Sequence, residues 1–335
     1  MTPLRYLIAF ALALGLCACS SNENSHQADN AKNAQDTTKI KVLSTIAMID
    51  DLVKQIGGDH ITTQVLVKGE LDPHSYQLVK GDDEKLAYAD LIFYNGLGLE
   101  HGPSLQRYLQ DDETKAIPLG NRVRIRYPEL ILHHNGQLDP HIWMDISLWS
   151  KTIPIIVAAL SAKDPAHAED FQANAKKLSA KMEAMHQQIK GELDHIPENK
   201  RYLVTSHDAF NYFTRAYLAT DAERANGDWK KRFAAPEGLA PESQLSAADI
   251  RLIIEHVKKH QIQVLFPESN ISKDSIRKII NAGREQGLRL HIASAYLYGD
   301  AMGASGSDGD TYLKMIQHNA TILSKNLTAP EGNRE

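Results

Sequence analysis

Short apolar runs alternate with helix-sized amphipathic stretches along most of this chain. Residues 40–45, with Ile40, Val42 and Leu43, read as a buried strand. A helical pattern follows over 47–56, and Gly57-Gly58-Asp59 ends it. Residues 61–67 are rich in β-branched side chains and predict a second strand. A loop, a helix near 81–89 and a strand over 91–94 come next. The alternation returns later, with strands expected at 202–205, 264–266 and 290–294. Helices are expected from Ala209 and over 250–259, 275–286 and 311–326. Strands and helices alternating at this spacing predict βαβ units, and so an α/β fold with parallel sheets. No sequence repeat links the two halves, although the architecture recurs.

Between the halves the pattern changes. Residues 148–160 read as an apolar helix that carries Pro154. Pro165 suits the first turn of a further helix, which runs to about Leu193. About 29 residues at 1.5 Å each give a rod of roughly 40 Å. Phe171, Ala175, Leu178, Met182 and Ile189 form its expected buried stripe. The pattern fits either one long core helix in a single domain or a spine between two lobes.

The N-terminus has a different character. Arg5 precedes an apolar run over 6–16, which is too short to span a bilayer as a mature helix. The run ends at Leu16-Cys17-Ala18-Cys19, a small-residue site with a cysteine where cleavage would fall. That is the pattern of a bacterial lipoprotein signal over residues 1–18, with Cys19 as the lipidated N-terminus. An ordinary secretory signal with two incidental cysteines is the alternative. Residues 19–38 are polar and read as a flexible tether. No other stretch reads as long and apolar enough to cross a membrane. The globular part then divides into 39–163, a linking helix over 164–195, and 196–330.

Composition adds bounds. With 335 residues, 42% hydrophobic and 24% charged, the chain suits a soluble globular protein of about two domains. A net charge of −5 disfavours nucleic acid as a partner. Both cysteines lie in the leader region, so the body offers no disulfide and no thiolate ligand.

Three histidines and one carboxylate then become informative. His74 and His141 share a local frame, Asp72-Pro73-His74 and Asp139-Pro140-His141. His74 and His207 follow strands, and the carboxyl ends of strands are where open α/β sheets place ligands. Asp72 is placed to accept from nearby backbone, and Asp208 or Ser206 to cap the helix after His207. Asp300 lies in a glycine-rich loop beyond the last strand. Taken singly, each is an ordinary loop residue. Together they offer nitrogen and oxygen donors suited to zinc, manganese or iron(II). Two come from each half, so such a site forms between the halves. His133-His134 offers an accessory site or a solvated pair.

These residues resemble a family. The marks are Asp72-Pro73-His74, Asn95-Gly96-Leu97-Gly98-Leu99-Glu100, Asp139-Pro140-His141-Ile142-Trp143, Ser206-His207-Asp208-Ala209-Phe210 and Asp300-Ala301-Met302-Gly303. In this order they resemble the TroA-like metal-binding solute-binding proteins of bacterial ABC importers, over nearly all of residues 39–327. Asn95 to Glu100, with Pro236-Glu237-Gly238-Leu239, is similar to chlamydial members associated with iron and manganese. The resemblance implies two α/β lobes joined by one long helix, with metal ligands at His74, His141, His207 and Asp300. It implies a monomeric, lipid-anchored carrier in the periplasm or cell envelope. Its partners would be an ABC permease and its ATPase in the inner membrane, and its cargo one Mn2+, Fe2+ or Zn2+ ion. Some manganese members carry Glu at the place of His207. Zinc-specialised members often carry a long His- and acid-rich loop where this chain has only His133-His134.

Two other functions remain to be weighed. A metal-dependent hydrolase would keep a coordination position open for water and place a base beside it. Glu268, at a strand end, is either the candidate base or a structural hydrogen-bond or salt-bridge partner in the second half, and no His-Glu-x-x-His helix is present. A surface adhesin fits the anchor and tether but leaves the four donors unexplained.

Overall fold

The computed structural model describes residues 39–111, 115–134, 136–240 and 245–329. The expected signal, Cys19 and the tether to residue 38 lie outside the described residues. In the first half, β1 (Ile40–Ser44), β2 (Ile61–Val65), β3 (Leu91–Tyr94) and β4 (Ala116–Pro118) form a parallel sheet in the order β2-β1-β3-β4. Helices α1 (Ala47–Gly57), α2 (Asp82–Tyr88), α3 (Pro103–Asp111) and α4 (Leu119–Arg126) connect and flank the strands. The apolar residues in β1 are explained by its central place, since Val42, Leu43 and Ser44 are all buried. The pattern alone did not separate α3, β4 and α4. β4 has only three residues, and α4 buries only Leu119, Gly120 and Val123 among exposed arginines. An antiparallel hairpin of β5 (His133–His134) and β6 (Gln137–Leu138) follows on the surface.

The apolar stretch after it is not one helix. A short turn at Ile146–Trp149 passes through a 3-10 turn at Ser150–Thr152 into α5 (Ile153–Lys163). Pro154 sits in the first turn of α5, because it has no N–H to give and its ring would crowd the Ser150 carbonyl in a continuous helix. A second expectation is corrected here. Residues 146–163 are long and apolar enough by composition to cross a membrane. Their apolarity serves the core instead: Ile146, Leu148, Trp149, Ile153, Ile156 and Leu160 are buried inside the protein.

After a 3-10 turn at Pro165–His167, α6 spans Ala168–Asp194, 27 residues and so about 40 Å long. The expected stripe is buried, with Leu193 added to it. Gly191 lies inside the last turns without ending the helix.

In the second half, β7 (Leu203–Val204) pairs parallel with β8 (Phe233–Ala234), and β9 (Val264–Leu265) with β10 (His291–Ile292). The Phe266 N–H donates to the Val204 carbonyl at 2.8 Å, which joins these pairs in the order β8-β7-β9-β10. Helices α7 (Asp221–Asn226), α8 (Ala247–His260), α9 (Asp274–Glu285) and α10 (Tyr312–Thr328) complete this half. Ser246 and Asp249 form a capping box that starts α8.

The architecture is α/β: two lobes with parallel sheets flanked by helices and joined by α6. Helix α6 packs against α1, α5 and α10, so the last helix returns to the spine. One apolar core runs from Val42 and Ile49 through Leu178 and Ile189 to Phe213 and Leu323. The second lobe also has a core of its own, around Ile253, Leu265 and Ile279.

Candidate metal site

The loops beyond the strand ends converge between the lobes. His74 follows β2, His141 follows the surface hairpin, His207 lies three residues past β7, and Asp300 follows β10. One donor atom from each of these four buried residues lies within 4.8 Å of every other. The Nε2 atoms of His74 and His141 are 3.3 Å apart. Asp300 Oδ2 lies 3.5 Å from His74 Nε2 and 3.1 Å from His207 Nε2, while its Oδ1 lies 3.4 Å from His141 Nε2. A tetrahedron with metal–nitrogen bonds of about 2.05 Å has edges of about 3.3 Å. These four separations match that scale. Neither Asp300 oxygen has a hydrogen bond of good geometry among the described residues. A buried carboxylate ringed by imidazole nitrogens fits a cation at their centre.

Each histidine is held differently. Asp139 Oδ1 accepts the His141 backbone N–H at 3.0 Å and lies 2.8 Å from His141 Nδ1. Its Oδ2 accepts from Asn211 Nδ2 at 3.0 Å. Asp72 instead accepts the His74 backbone N–H at 2.8 Å and the Ser75 hydroxyl at 2.6 Å. The same three-residue frame therefore orients a ring in one copy and only a backbone turn in the other. Asn95 Nδ2 donates to the Pro140 carbonyl at 2.9 Å, and the His101 N–H to the His74 carbonyl at 3.3 Å. Buried Glu100 fixes that bracket by accepting from Thr45 Oγ1 and the Asn95 and Gly96 N–H groups.

Glu268 does the corresponding work for His207. Its Oε1 accepts the N–H groups of Ser206 and His207, both at 2.9 Å, and its Oε2 lies 2.6 Å from His207 Nδ1. A carboxylate behind an imidazole fixes ring orientation and raises its basicity. The glycine at 299 permits this approach, since a Cβ there would lie 2.5 Å from Glu268 Oε2.

Charge follows from this arrangement. Burial alone would lower His207, but Glu268 and Asp300 outweigh it and hold the imidazole well above its ordinary value. Burial would raise Asp300, yet the charge on His207 and the nearness of the His207 and His74 ring nitrogens keep it well below the usual carboxylate range. His74 is lowered, chiefly by burial.

One expectation differs in detail. Neither Ser206 nor Asp208 caps the helix at Asn211–Phe213; Asp208 Oδ1 accepts from Asn211 Nδ2 at 2.9 Å instead. His133 and His134 are exposed and stand apart from the four donors, with His134 Nδ1 3.0 Å from Asp208 Oδ2. Glu268, read from sequence as a stray base or a structural partner, is the latter. Trp143 and Asn211 drew no separate attention in the sequence, because their partners are distant in the chain.

Two parallel-sheet lobes on a single long helix, with buried imidazoles and a carboxylate at their junction, define a solute-binding protein of the rigid-spine class. The ZnuA family, zinc-uptake complex component A periplasmic, matches residues 42–326, and the chain belongs to it. It is similar to metal-binding protein YtgA of Chlamydia trachomatis serovar D, 39% identical over 324 residues, covering 97% of this chain and 94% of YtgA. The crystal structure of Fe(III)-bound YtgA from Chlamydia trachomatis aligns with a TM-score of 0.82, covering 87% of this chain and 99% of that one. Manganese-binding lipoprotein MntA of Bacillus subtilis is 32% identical over 302 residues, covering 89% and 93%. The periplasmic zinc-binding protein TroA from Treponema pallidum aligns with a TM-score of 0.78 at 27% identity, covering 87% and 100%.

Proposed function

We propose that this protein captures one divalent transition-metal ion outside the cytoplasm and delivers it to an ABC permease. His74, His141, His207 and Asp300 are its ligands in this reading. The observation that carries it is the convergence of four buried donor atoms within 4.8 Å of one another. Membership of the family makes a permease the expected partner; an ATPase beneath it completes the importer. The proposed cargo is Mn2+, Fe2+ or Zn2+. Donors without a thiolate accept all three, and the relatives' names span iron, manganese and zinc.

The same reading anchors the chain through lipidated Cys19 in the periplasm or cell envelope, as a monomer with no nucleic-acid partner. Residues 39–163 and 196–330 act as the lobes, and 164–195 as the link. Four protein ligands close a tetrahedral sphere and hold an ion rather than activate water. Glu268, the candidate base for hydrolysis, is committed to Ser206 and His207. Elemental analysis of protein purified from its native envelope tests the proposal, with His141→Ala beside it. A transition metal present in the wild type and absent in the variant is expected. Equal metal content in both would overturn the ligand set.

A further inference from the structure

Trp143 joins the lobes at the ligands themselves. It lies two residues after His141, in the turn Ile142–Met144, and is fully buried. Its indole Nε1–H donates to the Gly299 carbonyl at 3.0 Å, across 156 residues of chain. Gly299 immediately precedes Asp300. The indole stands edge-on to the His141 imidazole, with ring centres 5.3 Å apart. Its own carbonyl accepts the Tyr312 hydroxyl at 2.8 Å, and the Tyr312 N–H donates to Asp51 on α1 at 3.2 Å. One residue thus touches a ligand from the first lobe, the backbone beside a ligand from the second, and the base of α10.

Gly299 is the meeting point. A side chain there would press on Glu268 Oε2 at 2.5 Å and on His207 Cε1 at 3.4 Å. Its carbonyl therefore has Trp143 on one side while the second lobe's own ligand support crowds the other. For the lobes to part at this point, the buried Trp143–Gly299 bond must break. A buried carbonyl that loses its donor bears most of its desolvation cost.

We propose that Trp143 is a positioning residue, a latch that holds the Asp300 backbone against the first-lobe histidines and so sets how fast the ion leaves. This rests on metal capture by the four residues above. Encounter of an ion with the open site does not need the latch. Its loss therefore raises the dissociation rate and spares association.

The test uses Trp143→Phe, which keeps an aromatic ring and removes the N–H. Full-length protein loaded with Mn2+ or Zn2+ is mixed with excess chelator, and release is followed by stopped flow. Release is expected to be about 5- to 20-fold faster than wild type. The association rate is expected to stay within about twofold. Tyr312→Phe, which leaves the indole in place but unsupported, is expected to give a smaller acceleration of the same sign. If Trp143→Phe does not fold, that second variant decides alone. Unchanged release in the folded variants overturns the latch. So does a fall in association that matches the loss of affinity, because that marks general damage to the site. Wild-type protein that takes up no metal would overturn the capture reading itself, a different result from wild-type binding with unaltered release in the variants.

Discussion

The two lobes share one strand order and differ in how they hold it. Each sheet runs second, first, third, fourth in chain order. The first lobe builds its sheet from strands of five, five, four and three residues. The second uses four strands of two residues each. Both lobes add a buried carboxylate to their ladders: Glu100 accepts the Asn95 and Gly96 N–H groups in the first, and Glu268 the Ser206 and His207 N–H groups in the second, where the ladders are shorter. Two of the candidate donors sit on the lobe with the longer strands and two on the lobe with the shorter ones. On that comparison, the half of the site at His207 and Asp300 is expected to yield first.

The largest effect should come from the ligands. Asp300→Ala is expected to weaken metal binding by more than about 100-fold, beyond the usual cost of losing an outer partner. Titration against a competing chelator measures it, and affinity kept within tenfold, about 1.4 kcal/mol, would sink the assignment. Next come the carboxylates behind the rings. Glu268→Gln and Asp139→Asn should each cost about 10- to 100-fold in affinity. If the second lobe depends more on side chains, Glu268→Gln should also lower the melting temperature of metal-free protein more than Asp139→Asn does. The reverse order would break the comparison.

Acidity should act through His207. Its raised value means that the charge pairing with Glu268 and Asp300 stabilises metal-free protein fully below the ordinary imidazole value of 6.5. That contribution is lost as pH rises through the raised value. Asp300, held low, contributes above its ordinary range near 3.8 and loses that contribution as pH falls through its lowered value. Metal must expel the His207 proton, so affinity should rise with pH above 6.5 until the raised value is passed. Calorimetry in buffers of different ionisation enthalpy should find about one proton released per ion at neutral pH. Binding that releases none would contradict a charged His207.

The smallest effect belongs to the surface. His134 is half-exposed beside Asp208, and exposed ion pairs contribute about 0–1 kcal/mol. His134→Ala should leave metal affinity nearly unchanged. A large loss there would revive the accessory site.

The sequence disclosed the candidate donors better than their supports. β1, β3 and the stripe on α6 were legible because local pattern and burial coincide. The repeated Asp-Pro-His frame marked two histidines, and strand ends marked the third. Asp300 was legible only in company with them. The particular partners of Glu268 and Trp143 were not, because they lie 61 and 156 residues away, where no local periodicity reports the contact. β8 escaped notice because its two residues follow the charged run Lys230-Lys231-Arg232 and carry no β-branched residue of their own. Pro154 was visible, yet its effect on the apolar stretch depended on where the chain turned before it.

The most direct test is anomalous X-ray diffraction from crystals of metal-loaded protein, recorded on both sides of the metal's absorption edge. The account predicts a single strong peak enclosed by His74 Nε2, His141 Nε2, His207 Nε2 and Asp300. A peak at His134 and Asp208, or none among the four donors, would contradict it.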